Sequence, residues 1–320
     1  MTASRIAIIG SNGLLGQNFV KALAEETTAQ LFLADIHSQS FIPDNNPTDN
    51  TIPSASHLAY TSVDITSRAA VKEFALQYLP EIILNCAAIN DVDACEVERE
   101  RAWKINVKGV EHLADGCRTV DARLIHFSSD YVFDGKHGPY CERDKPNPIC
   151  YYGKTKLASE NACRMGGIRF IVVRTSVLYG MGTGIRTNFV QWVVDALSSG
   201  KDINVVTDQT GNPTPADQLA AAVLRLIDRQ REGLYHIAGP DIISRYDCAL
   251  RIAEVFDLDA NKIHPVTTEM LRQSAPRPLN AGLITLKAES ESGARLSKLV
   301  DGLQILKRRM DLAHSLRQVN

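Results

Sequence analysis

The sequence predicts an α/β protein built on a doubly wound parallel sheet, with a smaller unit toward its C-terminal end. Two observations predict it. Short apolar runs recur through the first half, at residues 6–9, 31–34, 82–84, 124–127 and 170–173. Each is nearly continuous rather than alternating, as strands buried on both faces of a parallel sheet are. Between the runs lie stretches of helical periodicity, such as Leu15, Phe19, Ala22 and Leu23, or Val107, Val110 and Ala114. Parallel strands need such crossover helices.

The pattern changes after Arg174. Gly180, Gly182 and Gly184 mark a loop, residues 189–197 read as a helix, 211–215 as a turn cluster, 219–227 as a helix and 233–239 as a short strand. A first domain is expected over 1–175, with segments near 203–240 returning to it, and a second mainly over 176–320. A polar, Pro- and Asn-rich stretch at 38–57 reads as a long surface loop after the second strand.

A chain of 320 residues with 44% hydrophobic and 22% charged residues fits one large α/β unit or two domains. The net charge of -2 and a pI near 6.5 give no footprint for nucleic acid. Lys307-Arg308-Arg309 reads as the solvated face of a C-terminal helix. No targeting segment is expected at the start, and no stretch reaches the ~18 apolar residues of a membrane span. The 7 cysteines lack CxxC spacing, which suits a reducing, cytoplasmic setting. Cys86 and Cys163 read as packing residues rather than nucleophiles. The 8 histidines show no ligand spacing, and no metal is expected.

Three motifs carry chemistry. Gly10-Ser11-Asn12-Gly13-Leu14-Leu15-Gly16 follows a strand and opens a helix. Glycines there permit a tight turn, and backbone N–H groups at the positive end of a helix can meet a pyrophosphate. This makes the sheet a Rossmann dinucleotide-binding one. Asp35, at the end of the second strand, can accept hydrogen bonds from a ribose diol. Asp64 and Ile65, at the end of the third, would lie near the adenine edge. Ala87 and Ala88 offer small side chains where a cofactor passes the backbone.

The second motif is Tyr152-Gly153-Lys154-Thr155-Lys156. Residues four apart on a helix share a face, so the Tyr152 phenol and the Lys156 ammonium can enter one site. The ammonium is expected to lower the phenol toward the working pH range. The third is Ser128-Ser129-Asp130-Tyr131-Val132-Phe133-Asp134-Gly135 at the end of the fifth strand. Ligands sit beyond the carboxyl ends of such strands.

Together these residues resemble the extended short-chain dehydrogenase/reductase family, and most its dTDP-4-dehydrorhamnose reductase branch. The similarity runs over nearly the whole chain. It includes Asn85-Cys86-Ala87-Ala88, Val92-Asp93-Ala94-Cys95-Glu96, Asn106-Val107, Arg174-Thr175-Ser176, Asp208-Gln209-Thr210-Gly211-Asn212-Pro213-Thr214 and Arg277-Pro278-Leu279-Asn280. The resemblance implies a substrate-binding role for the C-terminal domain. It places Gly13, Leu14, Leu15, Asp35, Asp64, Ile65, Ala88, Ile89, Asn90, Tyr152 and Lys156 on cofactor-binding positions, beside Gly10 and Gly16 of the turn. Ser129 falls on the catalytic hydroxyl, and Ser129 with Asp130 on substrate contacts. Two positions depart from the branch: Val177 stands where a tryptophan packs on the sugar, and Asn18 where a glutamate has been linked to magnesium.

The expected reaction is NADH- or NADPH-dependent reduction of a keto group on a nucleotide-linked deoxysugar. Tyr152 would protonate the oxygen and Lys156 hold the nicotinamide ribose. Tyr131 after Asp130 disfavours a dehydratase, which needs a second acid there. An epimerase, and a non-catalytic subunit resembling the methionine adenosyltransferase β subunit, are the rival readings. Arg277 reads equally as a phosphate ligand or a structural ion pair, and a homodimer is left open.

Overall fold

The computed structural model describes residues 5–26, 29–40 and 58–319. Most of the polar loop expected at 38–57 lies outside them.

The first half runs β1 (Arg5–Ile9), α1 (Leu14–Glu26), β2 (Gln30–Asp35), β3 (Leu58–Ser62), α2 (Arg68–Tyr78) and β4 (Ile82–Asn85). Then come α3 (Val92–Val97), α4 (Arg99–Trp103), α5 (Gly109–Val120), β5 (Arg123–Ser129), α6 (Tyr151–Met165) and β6 (Phe170–Thr175). The second half contributes β7 (Leu178–Tyr179), α7 (Phe189–Ser198), β8 (Ile203–Val206), β9 (Thr210–Gly211), β10 (Thr214–Pro215), α8 (Ala216–Asp228) and β11 (Gly233–His236). It ends with β12 (Ile243–Ser244), α9 (Arg245–Val255), β13 (Ile263–Val266), α10 (Thr268–Leu271), α11 (Leu286–Ser292) and α12 (Leu299–Val319).

Among the described residues, seven strands form one sheet in the order β11-β6-β5-β4-β1-β2-β3. Every pairing in it is parallel. Alternate residues of each strand feed opposite layers. Ile6, Ile8, Leu31, Leu33 and Leu84 meet Phe19 and Leu23 of α1 and Val223 and Leu226 of α8. Ala7, Ile9, Ile83 and Leu124 meet Val71 and Phe74 of α2 and Leu113 of α5. Both layers are buried, which is why these runs read as continuous rather than alternating. Each fully buried Leu, Ile or Phe contributes ~1.5–3 kcal/mol of transfer free energy.

Strand order reverses between β1 and β4. The β1 turn and the loop after β4 therefore face one crevice at the carboxyl ends of the strands, where ligands of such sheets lie.

The segment expected to return near 203–240 divides. Strand β11 adds to the sheet beside β6, and α8 packs in the same layer as α1. Strand β8 does not return; it pairs with β13 from Ile203↔Ile263 to Val206↔Val266. Its Ile203 and Val205 are buried in a second apolar cluster with Val193 and Leu197 of α7, Ile252 of α9 and Leu303 of α12. A four-residue apolar strand fits either core, so composition alone did not separate them. No helix among the described residues is long and apolar enough to cross a membrane. All seven cysteines are free, and Cys163 is buried with its thiol pushed up to about 12 by desolvation. Desolvation pushes the Cys86 thiol upward too, so neither thiol is reactive at neutral pH.

Candidate active site

The three glycines after β1 do different work. Gly10 has φ +76, and a Cβ there would lie 2.6 Å from Ala87 N. That contact binds the turn to the loop after β4. A Cβ on Gly16 would lie 2.2 Å from Gly10 O, so α1 starts flat against the turn. At Gly13 the nearest atom, Gly10 O, would be 3.4 Å away, an ordinary contact. Leu15 is buried and Leu14 half-buried behind the turn. The Ser11 hydroxyl is fully buried with no hydrogen-bond partner among the described residues. An orphaned donor at the head of α1, beside a glycine cradle, fits a pyrophosphate.

Asp35 ends β2 next to this turn. Its Oδ2 accepts from Asn12 N at 3.2 Å and its Oδ1 from His37 N at 3.4 Å. Asp64 lies two residues beyond β3, exposed, with Oδ1 accepting from Thr66 N at 2.8 Å. Ile65 is buried beside it, against Gly109 at the start of α5. After β4, Ala88 and Asn90 are exposed and Ile89 half-buried.

Asn106 was visible in the sequence only as part of the resemblance, and the structure gives it a task. It is buried in a π-turn at Lys104–Lys108 that joins α4 to α5. Its Oδ1 accepts from Ile89 N at 2.8 Å, and its Nδ2 donates to Ile89 O at 3.0 Å and Thr155 Oγ1 at 3.1 Å. One amide thus ties the cofactor-side loop to the Tyr-Gly-Lys-Thr-Lys helix. A single π-turn has no compositional signal, although such turns frequent functional sites.

Helix α6 begins with Cys150 Sγ accepting from Gly153 N at 3.4 Å. A Cβ on Gly153 would lie 2.1 Å from Tyr131 O. The glycine therefore lets the first turn of α6 abut the turn after β5. Ser129, Tyr152 and Lys156 are all buried at this junction. Ser129 Oγ accepts from Tyr131 N at 3.2 Å and donates to Asp130 Oδ1 at 2.7 Å. The Tyr152 ring meets the Tyr131 ring edge-on, centroids 5.6 Å apart.

The electrostatics correct one expectation. Tyr152 is not lowered: burial pushes the phenol well above its ordinary value, with Ser129 hydrogen bonding opposing the rise. Burial also dominates at Lys156, lowered to about 8. Desolvation disfavours the charged form of each group, and it is the largest cause of both shifts. At neutral pH the pair is therefore a neutral phenol and an ammonium.

On the far side, Asp130 Oδ2 accepts from Ser176 Oγ at 2.7 Å. Burial raises the Asp130 carboxyl, while the Ser176 and Ser129 hydroxyls and the Arg245 charge oppose it. Ser176 and Gly211 entered the sequence reading only as part of the resemblance, and Arg245 was not singled out. A Cβ on Gly211 would lie 2.9 Å from Ser176 Oγ, 3.5 Å from Val177 Cγ2 and 3.9 Å from Asp130 Oδ2. Val177 holds φ 45, a left-handed conformation rare for a β-branched residue. Arg245 opens α9, its N–H donating to Gln209 O at 3.0 Å. Its guanidinium lies over the Phe189 ring, 5.0 Å from the centroid, and makes no ion pair among the described residues.

Arg277 resolves to an ion pair rather than a free phosphate ligand, with Nη2 2.6 Å from Asp93 Oδ2. Nearby, Arg186 Nη2 lies 2.8 Å from Asp91 Oδ2. Both carboxylates sit at the head of α3, and both arginines come from the second half of the chain.

A parallel sheet with a glycine turn at its switch point, facing a buried serine, tyrosine and lysine, defines a Rossmann-type protein of the extended short-chain dehydrogenase/reductase class. The chain belongs to the RmlD substrate binding domain family, whose model matches residues 4–310. It is 34% identical over 302 residues to a probable low-salt glycan biosynthesis reductase, Agl14, of Haloferax volcanii, covering 93% of this chain and 96% of that protein. It is also 34% identical over 233 residues to methionine adenosyltransferase 2 subunit beta of Xenopus tropicalis, covering 71% and 70%. A dTDP-4-dehydrorhamnose reductase of Clostridium acetobutylicum superposes with TM-score 0.82 at 32% identity, covering 96% of this chain and 99% of that one. The same-named enzyme of Bacillus anthracis, solved with NADP, gives TM-score 0.80 at 28% identity, again covering 96% and 99%.

Two substitutions check the geometry. Gly153→Ala should push α6 from the β5 turn and lower kcat by about tenfold or more while the fold is kept by circular dichroism; wild-type kcat would show that the close approach is dispensable. Val177→Gly relieves about 1–3 kcal/mol of backbone strain against ~0.5–1 kcal/mol of added chain entropy. Urea denaturation should therefore show stability held or raised, while kcat/KM falls because the adjacent Ser176, which donates to Asp130, loses its fixed backbone.

Proposed function

We propose that this chain is an NAD(P)H-dependent reductase of a keto group on a nucleotide-linked deoxysugar, with the activity of a dTDP-4-dehydrorhamnose reductase, working in the cytoplasm. The observation that carries this reading is the burial of Ser129, Tyr152 and Lys156 where α6 meets the turn after β5. When bound, NAD(P)H supplies the hydride. The turn at Gly10, Gly13 and Gly16, with Leu14 and Leu15, receives the pyrophosphate. Asp35, Asp64 and Ile65 would hold the adenosine half, and Ala88, Ile89 and Asn90 would line the passage toward the nicotinamide.

Tyr152, held neutral by its burial, donates the phenolic proton to the substrate oxygen as charge develops there. Ser129 donates to that oxygen by turning its single hydroxyl proton away from Asp130 Oδ1, where it rests without substrate. Lys156 keeps an ammonium at neutral pH and gives hydrogen bonds to the ribose. Arg245 offers a fork of unpaired donors on the substrate side, which suits an anionic nucleotide diphosphate.

Turnover is tested with dTDP-4-dehydro-6-deoxy-L-mannose against other keto-sugars, following loss of reduced nicotinamide absorbance. Tyr152→Phe should lower kcat about a thousandfold and leave NADPH affinity nearly unchanged; wild-type turnover would remove Tyr152 from the reaction. The subunit relative gives the rival outcome, NADPH binding with no turnover of any keto-sugar. Lys156 loses its proton as pH rises through about 8, so activity should be full below that value and fall above it. A flat rate to pH ~10, the range of an unperturbed lysine, would contradict the role given to its charge.

A further inference from the structure

We infer that Glu160 and Arg174 are the positioning pair of this site: one buried carboxylate holds the helix carrying Tyr152 and Lys156 in register with the strand carrying Ser129. The inference rests on the reading of those three residues as the reacting set.

Glu160 follows Lys156 by four residues on α6 and shares its face. Glu160 is 0% and Arg174 1% exposed. Arg174 grips the carboxylate with two bonds, Nε to Oε1 and Nη2 to Oε2, both 2.8 Å. Ser128 Oγ donates to Oε1 at 2.6 Å, and Arg164 Nη2 to Oε2 at 2.9 Å. The two carboxylate oxygens thus take four donors, from α6, β5 and β6.

Arg174 is fixed in turn. Its Nη1 approaches His236 Nε2 at 3.4 Å, and its guanidinium stacks 5.0 Å from the Phe133 ring centroid. An arginine has no acceptor, so His236 accepts through Nε2 and donates through Nδ1 to Tyr140 O at 3.1 Å. Burial and the Arg174 charge push His236 down to about 3, consistent with that neutral ring.

Stability is a poor reason for this arrangement. Two buried charges are costly to desolvate, and apolar residues of similar volume often serve as well or better. A bidentate fork supplies direction instead. The register pairs Ser128 with Arg174 and Ser129 with Thr175. The carboxylate therefore grips the strand one residue before Ser129 and the helix one turn after Lys156.

The same charge acts on Lys156. The groups facing its ammonium are Cys86, Cys95, Cys163, His126 and Glu160. Burial keeps the thiols protonated and His126 neutral. Glu160, itself faced by Arg164, Arg174 and His236, is the one ionised group of that set. It raises Lys156 against its burial, so removing the charge lowers Lys156 further.

Three variants test this. Glu160→Gln combined with Arg174→Met removes both charges at similar volume and should melt as the wild type does. Its kcat should fall about tenfold or more with KM for NADPH nearly unchanged, and the alkaline limb should move down by about half a pH unit. The pH dependence of NADPH affinity, read by quenching of its fluorescence, should move the same way without any turnover. Glu160→Asp keeps the charge but withdraws it by one methylene; kcat should fall while the limb stays, and this variant decides the matter where the double variant fails to fold. Wild-type kcat in either folded variant overturns the inference, as does a change confined to KM or an unmoved limb in the double variant. Tyr152→Phe is the control, since wild-type turnover there would sink the underlying reading rather than the pair.

Discussion

The site depends on how closely α6 approaches the turn after β5. The Gly153 Cα sits where any side chain would strike Tyr131 O, at 2.1 Å from a Cβ. Because of that contact, the phenol on one element and the serine on another share a buried space. A packed interior does not deform smoothly, so a shift of this helix cannot be absorbed by a small tilt. Asn106 from the side and Glu160 from below hold the same helix. Three unrelated contacts thus converge on one geometry.

Burial, more than the charges of neighbouring groups, sets the protonation states. It raises Tyr152 and Asp130, lowers Lys156 and keeps the surrounding thiols protonated. A phenol that holds its proton suits reduction, in which the tyrosine must give one up to a developing oxyanion. In the reaction proposed, the neighbouring ammonium would act through hydrogen bonds rather than by drawing the phenol into its anionic form.

The sheet was legible in the sequence because both faces of its strands are buried, leaving nearly continuous apolar runs at positions such as 82–84 and 124–127. The glycine turn and the Tyr152–Lys156 spacing were legible because each is local: one needs an absent Cβ, the other a helical repeat. What escaped notice is non-local. In the carboxylate bridge from Ser129 through Asp130 to Ser176, Asp130 and Ser176 are 46 residues apart, and no spacing rule reports it. Strand β8 went to the second core because its partner, β13, lies about sixty residues further on. The strain at Val177 is a backbone property, which a valine in the sequence conceals. Arg245 resembles any helix-opening arginine until the ring of Phe189 is placed beneath it.

The two ion pairs at the head of α3 differ in how far water reaches them. The Arg186 side chain is 66% exposed and that of Arg277 only 7%. The carboxylates are similarly open, Asp91 33% and Asp93 40% exposed, so the difference lies in the guanidinium. Dissolved ions screen the first pair more than the second. The second half of the chain is therefore tethered to the head of α3 by one bond that brine loosens readily and one that it loosens less.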